Sequence, residues 1–246
     1  MKVIKVKDYN ELSLEAAKVM IELIKNKPNA TLGLATGSSP IGLYQNLISA
    51  YNNNEISFKN ITTFNLDEYC GLPKEHFESY YSFMHRNLFD HVDIKEENVH
   101  LPSSLGSDLQ KNCDEYTELL NNAVVDIQLL GIGGNGHIGF NEPGTSFEST
   151  TQIIKLAEKT RQDNKRFFNS IDEVPTHAIT MGIKNIMNAK SILLVVSGKS
   201  KADAVYKLLN GEVTESFPAS ILKNHPNVTV IIDEEAASLI WLHLEK

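Results

Sequence analysis

The sequence predicts a doubly wound α/β fold, a mainly parallel sheet with helices on both faces. Three observations carry that prediction. Short runs such as Ser-Ile-Leu-Leu-Val-Val-Ser at 191–197 are apolar at consecutive positions, as strands covered on both faces require. Such runs alternate with stretches of helical period. Small polar or glycine-rich turns follow the strands directly, at the carboxyl ends where sheets of this type bind their ligands.

In chain order, a β-branched strand over 2–6 (KVIKV) leads into a helix over 11–25. The strand at 31–36 (TLGLAT) ends in the turn Gly37-Ser38-Ser39, and Pro40 suits the first position of a helix over 41–50, where its missing N–H is not needed. The strand at 61–66 (ITTFNL) runs into Asp67 and Glu68, and amphipathic helices follow over 79–89 and 108–120. The buried run at 126–133 opens a glycine-rich loop. A strand over 191–198 precedes a helix over 201–209, and a last strand over 228–233 precedes a helix over 234–244. No internal repeat, low-complexity tract or linker-like shift in composition interrupts this order, so residues 1–246 are expected to form one domain.

Of the 246 residues, 41% are hydrophobic and 22% charged, which supports a substantial core and excludes a mainly disordered chain. A net charge of −8 argues against sequence-independent nucleic-acid binding, which needs a basic face. An anionic ligand would have to be met by a local cluster of donors. No run approaches 18 apolar residues and the N-terminus lacks a long apolar segment, so no membrane association is expected. The two cysteines, Cys70 and Cys113, show no metal-ligand spacing and suit a reducing compartment. The expected location is the cytoplasm.

The three loops after the central strands hold the chemistry. At Gly37-Ser38-Ser39-Pro40, two hydroxyls stand beside the free N–H groups of a helix start, which makes either an anion site for a phosphate or an ordinary turn with a serine cap. No Gly-Lys-Ser/Thr follows, so it is not a nucleotide-binding P-loop of that type. At Asp67-Glu68, adjacent acids end a buried strand. Desolvation there would bring a carboxyl toward neutrality and suit it to act as a base, although position alone favours the plainer reading of a solvated strand end in which Asp67 caps the next turn. Nothing nearby marks an activating base for Cys70.

The third loop, LLGIGGNGHIGFNEPG at 129–144, contains Gly131-x-Gly133-x-x-Gly136. A dinucleotide fingerprint needs a helix to begin inside that turn and an acid about 20 residues on. Here Pro143 and Gly144 break any helix, and no strand ending in an acid follows at that distance. What remains is a close-approach backbone carrying Asn135, His137 and Glu142. An imidazole moves protons near neutrality and a carboxylate can orient it.

Six segments in order, LGLATGSSPIGLY (32–44), TFNLDEYCGLP (63–73), ESYYSFMHRNLF (78–89), LLGIGGNGHIGFNEPG (129–144), TRQDNKRFF (160–168) and PASILKNHP (218–226), make the chain resemble the glucosamine-6-phosphate deaminase family, also called glucosamine-6-phosphate isomerase. The resemblance spans nearly the whole length and implies a Rossmann-like fold of the sugar-phosphate isomerase/deaminase type. It also implies conversion of glucosamine 6-phosphate and water to fructose 6-phosphate and ammonia, with neither metal nor organic cofactor. By resemblance Asp67 is the base shuttling a proton between C2 and C1, His137 opens the sugar ring, and Glu142 belongs to the carboxylates grouped with it. The phosphate falls to Gly37, Ser38, Ser39, Arg166 and Lys201. Tyr80 stands where the family has an aromatic residue near the sugar, a place that core packing would also explain. The resemblance also implies that the glycines of the third loop let the backbone pass near the sugar, with Gly136 expected as a contact. Residues 160–169 are expected to cover the site.

Two departures from the family pattern stand out. Asn135 replaces the Asp that many members carry, which leaves Glu142 to orient the histidine. Gln152 and Ile154 stand where hexameric members activated by N-acetylglucosamine 6-phosphate have basic residues, and the chain ends soon after Trp241-Leu242-His243. A monomer or small homo-oligomer without an allosteric activator is therefore expected. The competing expectations are a 6-phosphogluconolactonase-like enzyme, which would need no enolising base, and a non-catalytic sugar-phosphate sensor, which would not need Asp67, His137 and Glu142 together.

Overall fold

A computed structural model describes residues 1–158, 161–162, 165 and 168–240. Its main sheet has seven parallel strands in the order β1-β10-β9-β6-β2-β3-β5. These are β1 (Lys2–Val6), β2 (Thr31–Leu34), β3 (Thr62–Asn65), β5 (Val99–His100), β6 (Ile127–Leu130), β9 (Ile192–Val196) and β10 (Val228–Asp233). Every residue of β6 and β9 is buried, which explains the unbroken apolar run of β9; the one polar residue of β6, Gln128, donates its amide to the Leu129 carbonyl at 2.9 Å. From β2 the chain builds outward through β3 and β5. From β6 it builds the other way through β9 and β10, so the order reverses between β2 and β6.

The helices are α1 (Tyr9–Asn26), α2 (Ile41–Asn52), α3 (Tyr80–Asn87), α4 (Leu109–Asn122), α5 (Ile183–Met187) and α6 (Ala202–Asn210), counted among the described residues. The α1 helix starts because the Asp8 carboxylate accepts from the N–H groups of Asn10 and Glu11, and it buries Leu12, Ala16, Ala17, Met20 and Ile24. A cap of that kind contributes about 1 kcal/mol, and each large apolar side chain taken fully from water about 1.5–3 kcal/mol. Pro40 lies one residue before α2 rather than inside it, and its carbonyl accepts from Tyr44 N–H at 2.9 Å. At the start of β6, buried Asp126 is paired with Lys27 at 2.8 Å and Lys190 at 3.1 Å.

Three features differ from the sequence expectation. A second sheet of three antiparallel strands, β4 (Asp67–Tyr69), β8 (His177–Thr180) and β7 (Gln152–Lys155), flanks the first. The strand read as 61–66 ends at Asn65. The chain turns at Leu66, whose carbonyl accepts from Met181 N–H at 2.7 Å, and enters the second sheet at Asp67. The helix expected over 234–244 is absent from its described part. Residues 234–240 form successive turns, because the Asp233 carboxylate captures Ala236 N–H at 2.8 Å and the next bonds close over three or four residues. The rest of that segment lies outside the described residues.

Candidate active site

A cleft of about 590 Å³ opens at the carboxyl ends of β2 and β6, where the strand order reverses. This is where an open α/β sheet leaves a crevice between loops that diverge to opposite sides. Its walls bring together the β2 turn (Gly37, Ser38, Ser39), Asp67, the glycine loop from Gly131 to His137, and an aromatic side formed by Tyr69, Tyr80, Phe140 and Phe168.

The β2 turn is open toward the cleft. Gly37 has φ +88, a conformation that side-chain-bearing residues rarely adopt. The serine hydroxyls make no cap bond to α2. The capping is done instead by the Tyr9 hydroxyl, which accepts from Gly42 N–H at 3.0 Å and reaches the carbonyls of Ser38 and Ser39. Ser38 and Ser39 line the cleft.

Asp67 is buried at 7% exposure and faces the cleft. Burial pushes its carboxyl up to about 8, and the negative charge of Glu68 adds to the push. Its strand is held against β8, in register with Thr180. Thr180 also ties down the glycine loop, its Oγ1 accepting from Phe140 N–H at 3.2 Å. Asn141 adds to this anchorage by donating to the carbonyls of Ile138 and Met181. The second sheet therefore brings Asp67 and the His137 loop to one place. A Cβ added at Gly139 would lie 3.7 Å from Asp67 Oδ2.

His137 is oriented by Asn135. The Asn135 Oδ1 lies 2.7 Å from His137 Nδ1 and accepts from His137 N–H at 3.2 Å, while the Asn135 amide donates to Glu142 Oε2 at 2.7 Å. A carbonyl oxygen only accepts, so Nδ1 carries the proton and Nε2 keeps its lone pair. The expectation that Glu142 itself orients the ring needs correcting: Glu142 Oε1 is 3.6 Å from Nδ1, and its closer contact is to the Asn135 amide that it holds in place. Burial lowers the His137 pKa, with Glu142 opposing and the Lys201 charge reinforcing the shift. A neutral imidazole with a free Nε2 is equipped to accept a proton.

The glycines around it serve packing. A Cβ at Gly133 would come within 2.1 Å of the His137 ring. Gly136, with φ +89, would meet the Phe217 ring at 2.3 Å, and its N–H and carbonyl are taken by Gly133 and Ala219. Gly136, where a sugar contact was expected, is not among the residues that line the cleft.

Lys201 caps α6 after the turn Lys199–Lys201 and is half-buried, which lowers its pKa. It lies near His137 but is not among the cleft walls. Arg166 lies outside the described residues, as do 160, 163–164 and 167 of the expected covering segment; Phe168, from the same segment, is on the cleft wall and stacks on His76. Tyr80 is on the wall as well, 4.7 Å from Tyr69 between ring centres. Burial pushes the Cys70 thiol up to about 11, so it remains protonated. Sequence reasoning did not single out Tyr69, Phe140, Phe77 and Arg86, which line the cleft. The signal for Tyr69, Arg86 and Phe140 was their place in the 63–73, 78–89 and 129–144 segments; Phe77 lies just outside the second of these and had none. Among the described residues no group of three or more His, Cys, Asp or Glu is placed to hold a metal ion, and no helix is long and apolar enough to cross a membrane.

Comparison with known proteins agrees with the six motifs. Residues 8–231 match the family described as glucosamine-6-phosphate isomerases/6-phosphogluconolactonase. The chain is 53% identical over 239 residues to a glucosamine-6-phosphate deaminase of Clostridium novyi (strain NT), covering 97% of this chain and 99% of that one. Identity to the corresponding deaminase of Halalkalibacterium halodurans is 54% over 237 residues, 96% of each chain. A solved structure of a monomeric glucosamine-6-phosphate deaminase superposes with a TM-score of 0.94 at 52% identity, covering 97% of this chain and all of that one. A 6-phosphogluconolactonase from Trypanosoma brucei shares the fold, with a TM-score of 0.79 at 18% identity and coverage of 97% and 98%.

Proposed function

Because the chain belongs to the family of glucosamine-6-phosphate isomerases and 6-phosphogluconolactonases, we propose that it converts glucosamine 6-phosphate and water to fructose 6-phosphate and ammonia. The observation that carries this reading is Asp67, a buried carboxyl with a raised pKa that faces the same cleft as His137. His137 Nε2 takes the proton of the anomeric hydroxyl and passes it to the ring oxygen as the C1–O5 bond breaks, which returns the imidazole to its neutral form. Asp67 then removes the C2 proton as O1 takes up a proton, and returns it to C1 as the nitrogen gives one up, which turns the 2-amino aldehyde into the 2-imine of the ketose. Water adds to that imine and ammonia leaves. A lactone hydrolysis has no C–H bond to break and gives Asp67 nothing to do.

The substrate phosphate is assigned to the turn of Gly37, Ser38 and Ser39, with Lys201 and Arg166 as cations. The open hydroxyls of that turn and the half-burial of Lys201 support the assignment. We take the protein to be a cytoplasmic monomer without an activator site. The monomeric relative at 52% identity favours this, and Gln152 in β7 is a neutral amide, donating to Asn141 Oδ1 at 3.1 Å, that offers an activator phosphate no charge. Hyperbolic kinetics, unchanged by N-acetylglucosamine 6-phosphate, are the expected outcome; sigmoidal kinetics abolished by that compound would overturn it.

The deciding experiment measures ammonia release from glucosamine 6-phosphate by wild type, Asp67→Asn and His137→Gln. Each variant should lose on the order of 10²–10⁴ in kcat, the usual share of a proton-transfer group. Equal rates in all three would sink the mechanism. Hydrolysis of 6-phosphogluconolactone without ammonia release would turn the reading to a lactonase.

A further inference from the structure

Beside Asp67 stands a second buried carboxyl that the proposed reaction leaves without a task. Neighbouring side chains on a strand point to opposite faces, so while Asp67 faces the cleft, Glu68 turns to the first turn of α3. Glu68 is 4% exposed. Its Oε1 accepts from the N–H groups of Tyr69 at 2.8 Å and Tyr80 at 2.9 Å, and its Oε2 accepts from Tyr81 N–H at 2.9 Å. Ser79, the cap residue of α3, accepts from Ser82 N–H alone among the helix-start donors, so Glu68 meets two that the cap does not. All three partners are donors. That set suits a carboxylate, favoured also by the positive end of the helix, and not an amide, which would turn an NH2 toward one of them.

We propose that Glu68 is a positioning residue for the Asp67 base: it fastens β4 to the helix turn that carries Tyr80 and keeps a fixed negative charge next to the carboxyl that moves the proton. The inference rests on the reading of Asp67 given above. Burial raises both carboxyls, but the three N–H groups pull Glu68 back, whereas the Glu68 charge pushes Asp67 further up. The first negative charge of the pair therefore settles on Glu68, and Asp67 holds its proton in the empty site. A substrate ammonium entering the cleft brings the opposite charge and releases that proton, so the base becomes active when the sugar is present.

The other titratable groups around the pair do not change charge near neutrality in a way that could replace Glu68. Tyr69 on β4 is raised to about 12 by burial, with Glu78 adding to the push, and Cys70 to about 11. Tyr80 on α3 and Tyr116 on α4 are held well above the usual phenol range. His137, on the glycine loop, is kept toward its neutral form by burial. Thr180, opposite Asp67 on β8, is uncharged.

The test is a carbon-13 NMR titration of the Asp67 carboxyl in the unliganded protein, set beside the pH profile of kcat/KM, for wild type, Glu68→Gln and Glu68→Asp. Removing the charge in Glu68→Gln should lower the Asp67 midpoint and the acid limb of kcat/KM by about one pH unit. KM should rise several-fold as the start of α3 loosens. Glu68→Asp keeps the charge but not the reach, so KM should rise while the midpoint stays within a few tenths of a unit. A purely structural Glu68 would leave the midpoint unmoved in Glu68→Gln, and that result overturns the inference. So does a midpoint that moves as far in Glu68→Asp as in Glu68→Gln. If Glu68→Gln does not fold, the Glu68 carboxyl of wild type is titrated in the same way: a midpoint below that of Asp67 supports the fixed charge, and one at or above it overturns it. Failure of the underlying reading looks different, since wild type would then release no ammonia whatever the NMR midpoints.

Discussion

A carboxamide between an imidazole and a carboxylate fixes direction, where a carboxylate in the same place would also fix charge. Asn135 accepts from His137 and donates to Glu142, so the ring is held in one tautomer without a full negative charge at Nδ1. Burial then keeps His137 below its ordinary pKa, and the imidazole is neutral and able to take a proton down to mildly acid pH. Asn135→Asp should reverse this. A carboxylate 2.7 Å from Nδ1 stabilises the imidazolium, the folded-state pKa rises, and the neutral fraction is lost at higher pH than in wild type. The predicted result is about a tenfold loss of kcat/KM at pH 6 and a smaller one at pH 8. Asn135→Ala removes orientation without adding charge, so its loss should be the same at both pH values. A pH–rate profile of the two variants separates charge from direction, and parallel profiles would refute this account of the amide.

The glycine loop shows at the level of one element what sequence can and cannot disclose. Its GxGxxG spacing imitates a dinucleotide turn, but no helix opens there, and two of its glycines answer to side-chain rings rather than to a pyrophosphate. Gly133→Ala should displace the His137 ring, lowering kcat by at least tenfold while the melting temperature falls little. Gly136→Ala combines a positive φ with a clash against Phe217 and should be felt as stability, on the order of 2 kcal/mol or more. Thermal melts beside activity assays distinguish the two, and the reverse pattern would show the roles to be exchanged. The strands of the main sheet were legible because burial on both faces leaves runs of apolar residues. Strands β4, β7 and β8 have three or four residues each and no alternation long enough to read. Missing them hid how Asp67 reaches the glycine loop. The sequence marked Asp67 and Glu68 equally as acids. Which one faces the cleft depends on the turn at Leu66, where one sheet ends and another begins. Asn135 was legible as a departure from the family pattern, but its part in holding His137 needed the actual distances.

At the scale of the whole molecule, the reversal of strand order between β2 and β6 creates the crevice, and the second sheet seals one side of it. That seal buries Asp67, and the fold bears a pH-dependent strain as a result. Asp67 has a folded-state pKa of about 8 against an ordinary value of 3.8. Below about pH 4 the carboxyl is protonated in both folded and unfolded chains and has no effect on the balance. As pH rises from 4 to 8 the unfolded chain ionises freely while the folded one keeps its proton, so stability falls through that window. Asp67→Asn removes the difference. Its melting temperature should match that of wild type near pH 4 and exceed it increasingly toward pH 8, by roughly 5 °C or more for a chain of this size. The same substitution should slow ammonia release on the order of 10²–10⁴-fold, so the site would gain stability as it loses function. Calorimetric melts of both proteins at pH 4, 6 and 8 provide the measurement. A constant offset across the three would mean that burial of this carboxyl does not govern its ionisation, and the raised acid limb expected for kcat/KM near pH 8 would fall with it.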